Sequence, residues 1–381
     1  METGTAPAER QRRHTSHRPR GTPAGVLPTQ RREWLFNAAR HLAGGQTAFL
    51  LDCGAHSALP LLRSSGPTPR LTLPGAAATG ESCDLPWSST QELQTIAARL
   101  AEQSLPIELP RVPADSPTLA ALRQAFHLRG WVQTRPAPGR PCLDLHAGWS
   151  TPLSQFDPGR RTEFRLAECR AEALGGVRHE LHTQVEGAAL ERLLDEALAL
   201  EALSWPVEHG GASTAPDAAT TRFFRHYAQT AMRAGLLRVA LLRIGTRLAA
   251  MQVTVESGGR LWLLRHGYDP GLSRCVPADL LMLHTLGEAA KRGLRALEFM
   301  GSVTPWVLSW ASGARPHVRV RLYPASLQGA KAWYEDMAAA LAERRRAARP
   351  IGRPLPVLRP DRAWPRPPGR PARVAPDVAP A

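Results

Sequence analysis

Between Arg222 and Ala311 the spacing of apolar residues changes period several times, and that succession restricts the fold more than any other feature of the chain. FFRHYAQTAMRAG has helical spacing. Three strand-like runs follow, ending in LWLLR, and then a loop from Gly267 to Val276. A second helix is expected over ADLLMLHTLGEAAKRG, with Pro277 opening it, and a fourth strand in RALEFMG. Strands that alternate with helices in this way predict an α/β protein, because each helix must cover a sheet face.

The earlier part of the chain repeats the theme. REWLFNAARHLAG (32–44) places Trp34, Leu35, Ala38, Ala39 and Leu42 on one helical face, and TAFLLDC, ALPLLR and RLTLPG read as short strands. GAAATGESCDLPW (75–87) is a loop, followed by a helix from Gln91 to Gln103. IELPRVPADSPTLAALRQAFHLRGW predicts strand, turn and helix, with Ser116 as N-cap and Pro117 at the first helical position. CLDLH (142–146) closes this half as a strand. Further on, FDPGRRTEFRLAECRAEALGG is a basic helix stopped by Gly175 and Gly176, and GAALERLLDEALALEALSWP (187–206) is an amphipathic helix. HVRVRLY (317–323) alternates like a half-exposed strand. In the last helix Ala330, Trp333, Tyr334, Met337 and Leu341 are expected to face inward.

Length and composition set outer limits. A chain of 381 residues with 43% hydrophobic content predicts about two domains with substantial cores. The most apolar stretch, Leu236 to Val255, is interrupted by Arg238, Arg243 and Arg247, so no membrane span of roughly 20 apolar residues is expected. The N-terminus lacks the apolar core of a secretory signal. Cys53, Cys83, Cys142, Cys169 and Cys275 are scattered and contain no CxxC pair, which predicts reduced thiols, no metal site and a cytoplasmic protein. The net charge of +15 is concentrated at the ends. Residues 1–32 carry seven Arg against two Glu, and residues 343–381 carry ten Arg against three acids. Such Pro- and Arg-rich segments predict disordered basic tails (1–31 and 347–381) that bind anionic surfaces weakly, without specific nucleic-acid recognition.

The loop before Pro277 is where chemistry is expected. A strand that ends in a loop and re-enters at a helix N-terminus exposes backbone N–H groups to an anion. Tyr268, Asp269 and Pro270 open this loop, Ser273 and Arg274 follow, and Val276 stands in the capping position, where its side chain cannot accept a hydrogen bond. Asp269 has the chemistry to fix the turn before Pro270. Asp279, in the first helical turn, suits the helix dipole but opposes a phosphate.

These motifs, in this order, resemble the acyltransferase half of the FemAB-like, CelD-type branch of the GNAT superfamily, over roughly residues 33–325 and best over 187–311. The resemblance rests on Glu201 with Ser204-Trp205, on Tyr268-Asp269-Pro270, on Arg274 before a Pro-led helix, on Glu298 and on Trp310. Gly80, Ser82 and Asp84 fit a family loop loosely, and Arg160, Arg161, Arg165 and Arg170 stand where the family has an Arg-rich helix. The resemblance implies two GNAT-like lobes of mixed sheet flanked by helices: a degenerate N-terminal lobe (32–150), a C-terminal acyltransferase lobe (151–325), and a closing helix (326–346). It implies transfer of an acyl group from acyl-CoA, such as acetyl-CoA, to a small amine-bearing acceptor, in polysaccharide or cell-envelope precursor metabolism. Fem-type aminoacyl transfer from tRNA and a catalytically silent binding protein are the alternatives. Tyr268, Glu298 and Asp269 are then the catalytic candidates. Gly267, Ser273, Arg274 and Pro277 are candidates for holding the donor, and Trp205, His266 and Trp310 for the acceptor. The family's Lys is replaced here by Val307.

Overall fold

The computed structural model describes residues 27–54, 58–208, 217–301 and 303–347, with the side chains of 205–208 and 345–347 left aside. The expected tails fall mainly outside these residues, as does most of the loop after the 187–206 helix.

The first half runs α1 (Arg32–His41), β1 (Thr47–Asp52), β2 (Ala58–Arg63), β3 (Leu71–Thr72), the short α2 (Ala76–Thr79), α3 (Thr90–Ala101), β4 (Ile107–Pro113), α4 (Thr118–Phe126) and β5 (Gly130–Asp144). Between the halves lie α5 (Pro158–Ala173), β6 (Val177–His182), α6 (Gly187–Glu208) and α7 (Ala218–Arg233). The second half runs β7 (Leu237–Ile244), β8 (Arg247–Ser257), β9 (Arg260–Tyr268), α8 (Pro277–Lys291), β10 (Ala296–Phe299), α9 (Pro305–Trp310), β11 (Gly313–Pro324) and α10 (Leu327–Ala347).

Among the described residues eleven strands form one mixed sheet in the order β1-β2-β3-β4-β11-β5-β10-β9-β8-β7-β6. The order contains a repeat. In each half three antiparallel strands are followed by a helical crossover, a strand parallel to the third, another helix and a final strand. The final strands are exchanged. β11 lies between β4 and β5, completing the first half, while β5 pairs with β10 and completes the second. The long antiparallel β5–β11 pair at the centre therefore joins the halves through backbone hydrogen bonds. The sheet is the mixed α/β arrangement expected, and HVRVRLY, placed by chain order with the second half, sits within the first.

Local departures from expectation have simple causes. Of CLDLH, Cys142 to Asp144 form the end of the longer strand β5, and Leu145 and His146 lie beyond it. Thr118, two residues beyond Ser116, starts α4; the Ser116 hydroxyl accepts from the Thr118 N–H at 3.1 Å and donates to Asp84 at 2.6 Å. Gly175 and Gly176 end α5 with φ of 118° and 91°, as the double Gly predicted. The largest correction concerns α10. Its sheet-facing side consists of Gly329, Ala332 and Asp336, while Ala330, Trp333, Tyr334 and Leu341 are exposed and Met337 is partly so. Asp336 decides this orientation. It is held by Arg70 at 2.8 Å, Arg321 at 3.1 Å and the Tyr323 hydroxyl at 2.7 Å.

Candidate functional site

β9 and β10 pair in parallel from Leu261 opposite Leu297 to Leu263 opposite Phe299. The Met300 N–H donates to the Leu263 carbonyl at 3.0 Å, and there the shared register ends, whereas β9 continues to Tyr268. The two strands part, and a cleft of about 300 Å³ opens beyond that point. It is lined by Tyr268 from the end of β9, by Ser273 and Val276 from the following loop, by Pro277, Ala278 and Asp279 from the first turn of α8, and by Thr304, Pro305 and Trp306 at the start of α9.

A bulge aims β9 into the cleft. Val253 pairs with Arg265 and Thr254 with Leu263, so Leu264 is the extra residue. Beyond it the alternation is reversed. Arg265 turns to α6 and α7, bonding Glu201 at 3.1 Å and lying over the Phe224 ring, while His266 and Tyr268 face the cleft side. Gly267 belongs to this strand, which runs past the Arg265 end expected for it. A Cβ on Gly267 would meet the Cα of Glu201 at 2.6 Å, so glycine is what allows α6 to cross β9 closely.

The loop Asp269–Val276 forms a 3₁₀ turn over Pro270–Cys275. Asp269 fixes its start: one carboxylate oxygen accepts from the Gly271 N–H at 2.8 Å and the other pairs with Arg247. Val276 takes the left-handed conformation (φ 39°, ψ 53°), and among the described residues it is the only non-glycine with positive φ. This is costly for a β-branched residue ahead of a proline. The Val276 carbonyl accepts from Asp279 and Leu280. The Ala278 N–H, in the cleft wall, finds no acceptor among the described residues. Arg274 is exposed beside Ser273; its carbonyl accepts from Arg170 of α5 at 3.2 Å, and no carboxylate pairs with its guanidinium among the described residues.

Asp279, in the cleft wall, is tied to α9. One of its oxygens accepts from the indole N–H of Trp306 at 2.7 Å and of Trp310 at 2.9 Å. That carboxylate fastens α9 to α8, and Trp306 then stacks on His266 with ring centroids 4.3 Å apart. Thr304 caps α9 by accepting from the Val307 N–H, ahead of Pro305 at the first position.

The expected site residues therefore separate. Tyr268, Ser273 and Pro277 line the cleft, His266 stacks on its Trp306 wall, and Arg274 is exposed in the turn between Ser273 and Val276 without being part of the lining. Trp310 is buried beneath, packed edge-on against Phe156 and stacked with Phe164. Trp205 lies in α6, but its side chain falls outside the described residues. Glu298 is not in the cleft wall. It is fully buried and pairs with Arg140 at 3.2 Å, Arg260 at 3.1 Å and Arg315 at 3.3 Å, in a network that continues from Arg140 to Ser82. Trp306 and Thr304 were absent from the sequence-based site, although the Thr-Pro helix start was a readable signal for where α9 begins.

The first half packs the corresponding loop into its interior. Its loop after β3 carries Glu81, Ser82, Cys83 and Asp84, all buried. Ser82 lies 2.8 Å from His317, whose other ring nitrogen is 2.9 Å from the Arg315 carbonyl. A carbonyl can only accept, so that nitrogen carries a proton. Burial and the nearby Arg140 lower the pKa of the imidazole to about 4; in that neutral form its other nitrogen accepts from the Ser82 hydroxyl. Burial likewise raises the Glu81 carboxyl to about 7, although the Gly301 N–H donates to it.

No curated protein matches the sequence. Among solved structures, FemX shares 12% identity over 78% of this chain and 92% of its own, with a TM-score of 0.51. The C-terminal domain of a putative lysylphosphatidylglycerol synthetase from Agrobacterium fabrum shares 13% over 80% and 90%, with a TM-score of 0.47. L-PGS from Bacillus licheniformis shares 12% over 74% and 86%, with a TM-score of 0.47. At such identities the likeness to FemX is one of fold. No helix among the described residues is long and apolar enough to cross a membrane, and no group of three or more His, Cys, Asp or Glu there could hold a metal ion. Residues 158–306 match the acetyltransferase (GNAT) domain family.

Proposed function

We propose that the chain is an N-acyltransferase that takes its acyl group from acyl-CoA, acetyl-CoA being the simplest case, and passes it to a small amine in the cleft between β9 and α9. The observation that carries this reading is the parting of β9 and β10 at the open N-terminus of α8, with Ala278 in the cleft wall and the exposed Arg274 in the loop that leads into it. Free N–H groups and a helix dipole suit a phosphate, and the β9 edge suits an extended amide-bearing arm. In the reaction the amine nitrogen attacks the thioester carbonyl, the C–N bond forms, the C–S bond breaks, and a proton must leave the nitrogen while the thiolate gains one. Tyr268 is the proton donor we assign to the thiolate. Glu298, enclosed by three arginines, is assigned to holding β10 and not to removing the amine proton. Ser273, Pro277 and Arg274 are assigned to the donor, and His266 and Trp306 to the acceptor side.

Thermal-shift titration with acetyl-CoA and longer acyl-CoAs tests this directly. A saturable rise in Tm is expected, with Arg274→Ala weakening donor binding by about 1.5–3 kcal/mol, the range for hydrogen bonds to a charged group. Absence of a shift with every thioester would remove the CoA reading. One observation favours a second, Fem-type reading. Arg161, Arg165 and Arg170 of α5 have no carboxylate partner among the described residues, and α5 reaches the Arg274 loop. Such a surface also suits a larger polyanion, and salt-sensitive binding of aminoacyl-tRNA with none of acyl-CoA would favour that donor.

A further inference from the structure

The orientation of α10 leaves an apolar stripe on the outside of the molecule. Leu327 is 91% exposed, Tyr334 70% and Leu341 50%, and Ala330 and Ala338 between them are exposed as well. Measured from Tyr334, these residues stand at four and seven positions on either side, so the stripe reads the same in both directions. The successive spacings of three, four, four and three residues keep all five on one face of the helix. We infer that this face is an antiparallel interface between two copies of this chain, with its two-fold axis at Tyr334.

The symmetry argues for a second copy. A two-fold contact joins each residue to the one at the opposite offset. Leu327 meets Leu341 of the partner subunit, Ala330 meets Ala338 of the partner subunit, and the two Tyr334 rings lie side by side. The alanines permit the close axial separation of about 8–10 Å typical of packed helices. Charge agrees with this register. Lys331 and Glu335 lie exposed on one flank of the stripe, three residues before and one after the axis, where Lys331 donates to the Pro67 carbonyl at 3.0 Å and Glu335 accepts from the Thr68 hydroxyl at 2.8 Å. Antiparallel docking brings each Lys331 within a helical turn of Glu335 of the partner subunit, so that opposite charges approach on each side of the axis. Of the segments outside the described residues, 348–381 follows α10 directly, and it has ten prolines and no spacing that mirrors the stripe.

Light scattering on the full-length protein is expected to give twice the chain mass of 41.5 kDa, and Tyr334→Arg, which sets like charges together on the axis, is expected to give the single mass with unchanged circular dichroism. Cysteine cross-linking fixes the geometry, using Cys169→Ser to remove the exposed native thiol. Tyr334→Cys is expected to form a covalent dimer on oxidation, as is Leu327→Cys combined with Leu341→Cys. Leu327→Cys alone is not, because the two copies of that residue would lie about 21 Å apart along the seam. A full-length monomer at every concentration overturns the inference, and so does a chain that dimerises only after residues 348–381 are removed. Cross-linking through Leu327→Cys alone would overturn the antiparallel arrangement.

Discussion

Asp279 and Trp306 are joined by a 2.7 Å hydrogen bond from indole N–H to carboxylate, and this bond sets the width of the cleft mouth by fastening α9 to the first turn of α8. The same oxygen receives Trp310, so a carboxylate that would oppose an anion at the helix end is instead occupied by two neutral donors.

Removing this acceptor is expected to loosen α9. Asp279→Ala leaves two indole N–H groups without a partner and should cost about 2–4 kcal/mol, with a shift of the tryptophan emission. Asp279→Asn keeps one acceptor and should cost roughly half as much. Urea unfolding followed by fluorescence checks both; equal stability of Asp279→Ala and wild type would show that α9 is held by packing alone.

Val276 is strained in the left-handed region and more than a third exposed. Val276→Gly relieves strain of order 1–3 kcal/mol and forfeits part of that through the flexibility of glycine in the unfolded chain. A net gain of about 1 kcal/mol is expected, while Val276→Thr, also β-branched, gains nothing. Denaturant midpoints decide the matter, and a clear loss of stability in Val276→Gly would count against strain at this position.

Glu298→Ala strands the Arg140 charge in the interior. Loss of one partner from a buried ion pair costs about 3–5 kcal/mol, so the variant is expected to be near the limit of folding, and Glu298→Gln less so. If Glu298→Ala were as stable as wild type yet inactive, Glu298 would have to be assigned to chemistry after all.

The dependence on pH is expected to contain opposed contributions. Burial raises Glu81 from 4.5 to about 7, so its contribution is full below pH 4.5 and is lost as pH rises to about 7, where the folded state must hold a buried charge. Burial lowers His317 from 6.5 to about 4; its contribution is present above pH 6.5 and is lost as pH falls through about 4. Glu81→Gln keeps an oxygen acceptor for Gly301 without the charge. Relative to wild type it should gain roughly 1–3 kcal/mol between pH 5 and pH 8, by the linkage between pKa and stability. A stability difference that is flat over this range would show that Glu81 does not titrate there.

What the sequence by itself determined is mostly local. Apolar spacing located the strands of the second half and its helices apart from the short α9, Gly175-Gly176 stopped α5, and the Pro-led start of α8 was legible because capping chemistry acts within a few residues. Asp269 as a turn-fixing residue follows from the same short range. The tertiary structure decided everything that depends on partners distant in the chain. Gly267 reads as the end of a strand until α6 is seen crossing it, and the bulge at Leu264 that turns His266 rather than Arg265 toward the cleft leaves no trace in composition or period. Glu298 reads as a site acid in sequence, but Arg140, Arg260 and Arg315 arrive from three other strands. The outward face of α10 follows from Asp336, a single polar residue whose bonds to Arg70, Arg321 and Tyr323 outweigh an apolar stripe. Periodicity reports that a face is apolar. Only the positions of the charges it competes with decide whether that face turns to the sheet or to another molecule.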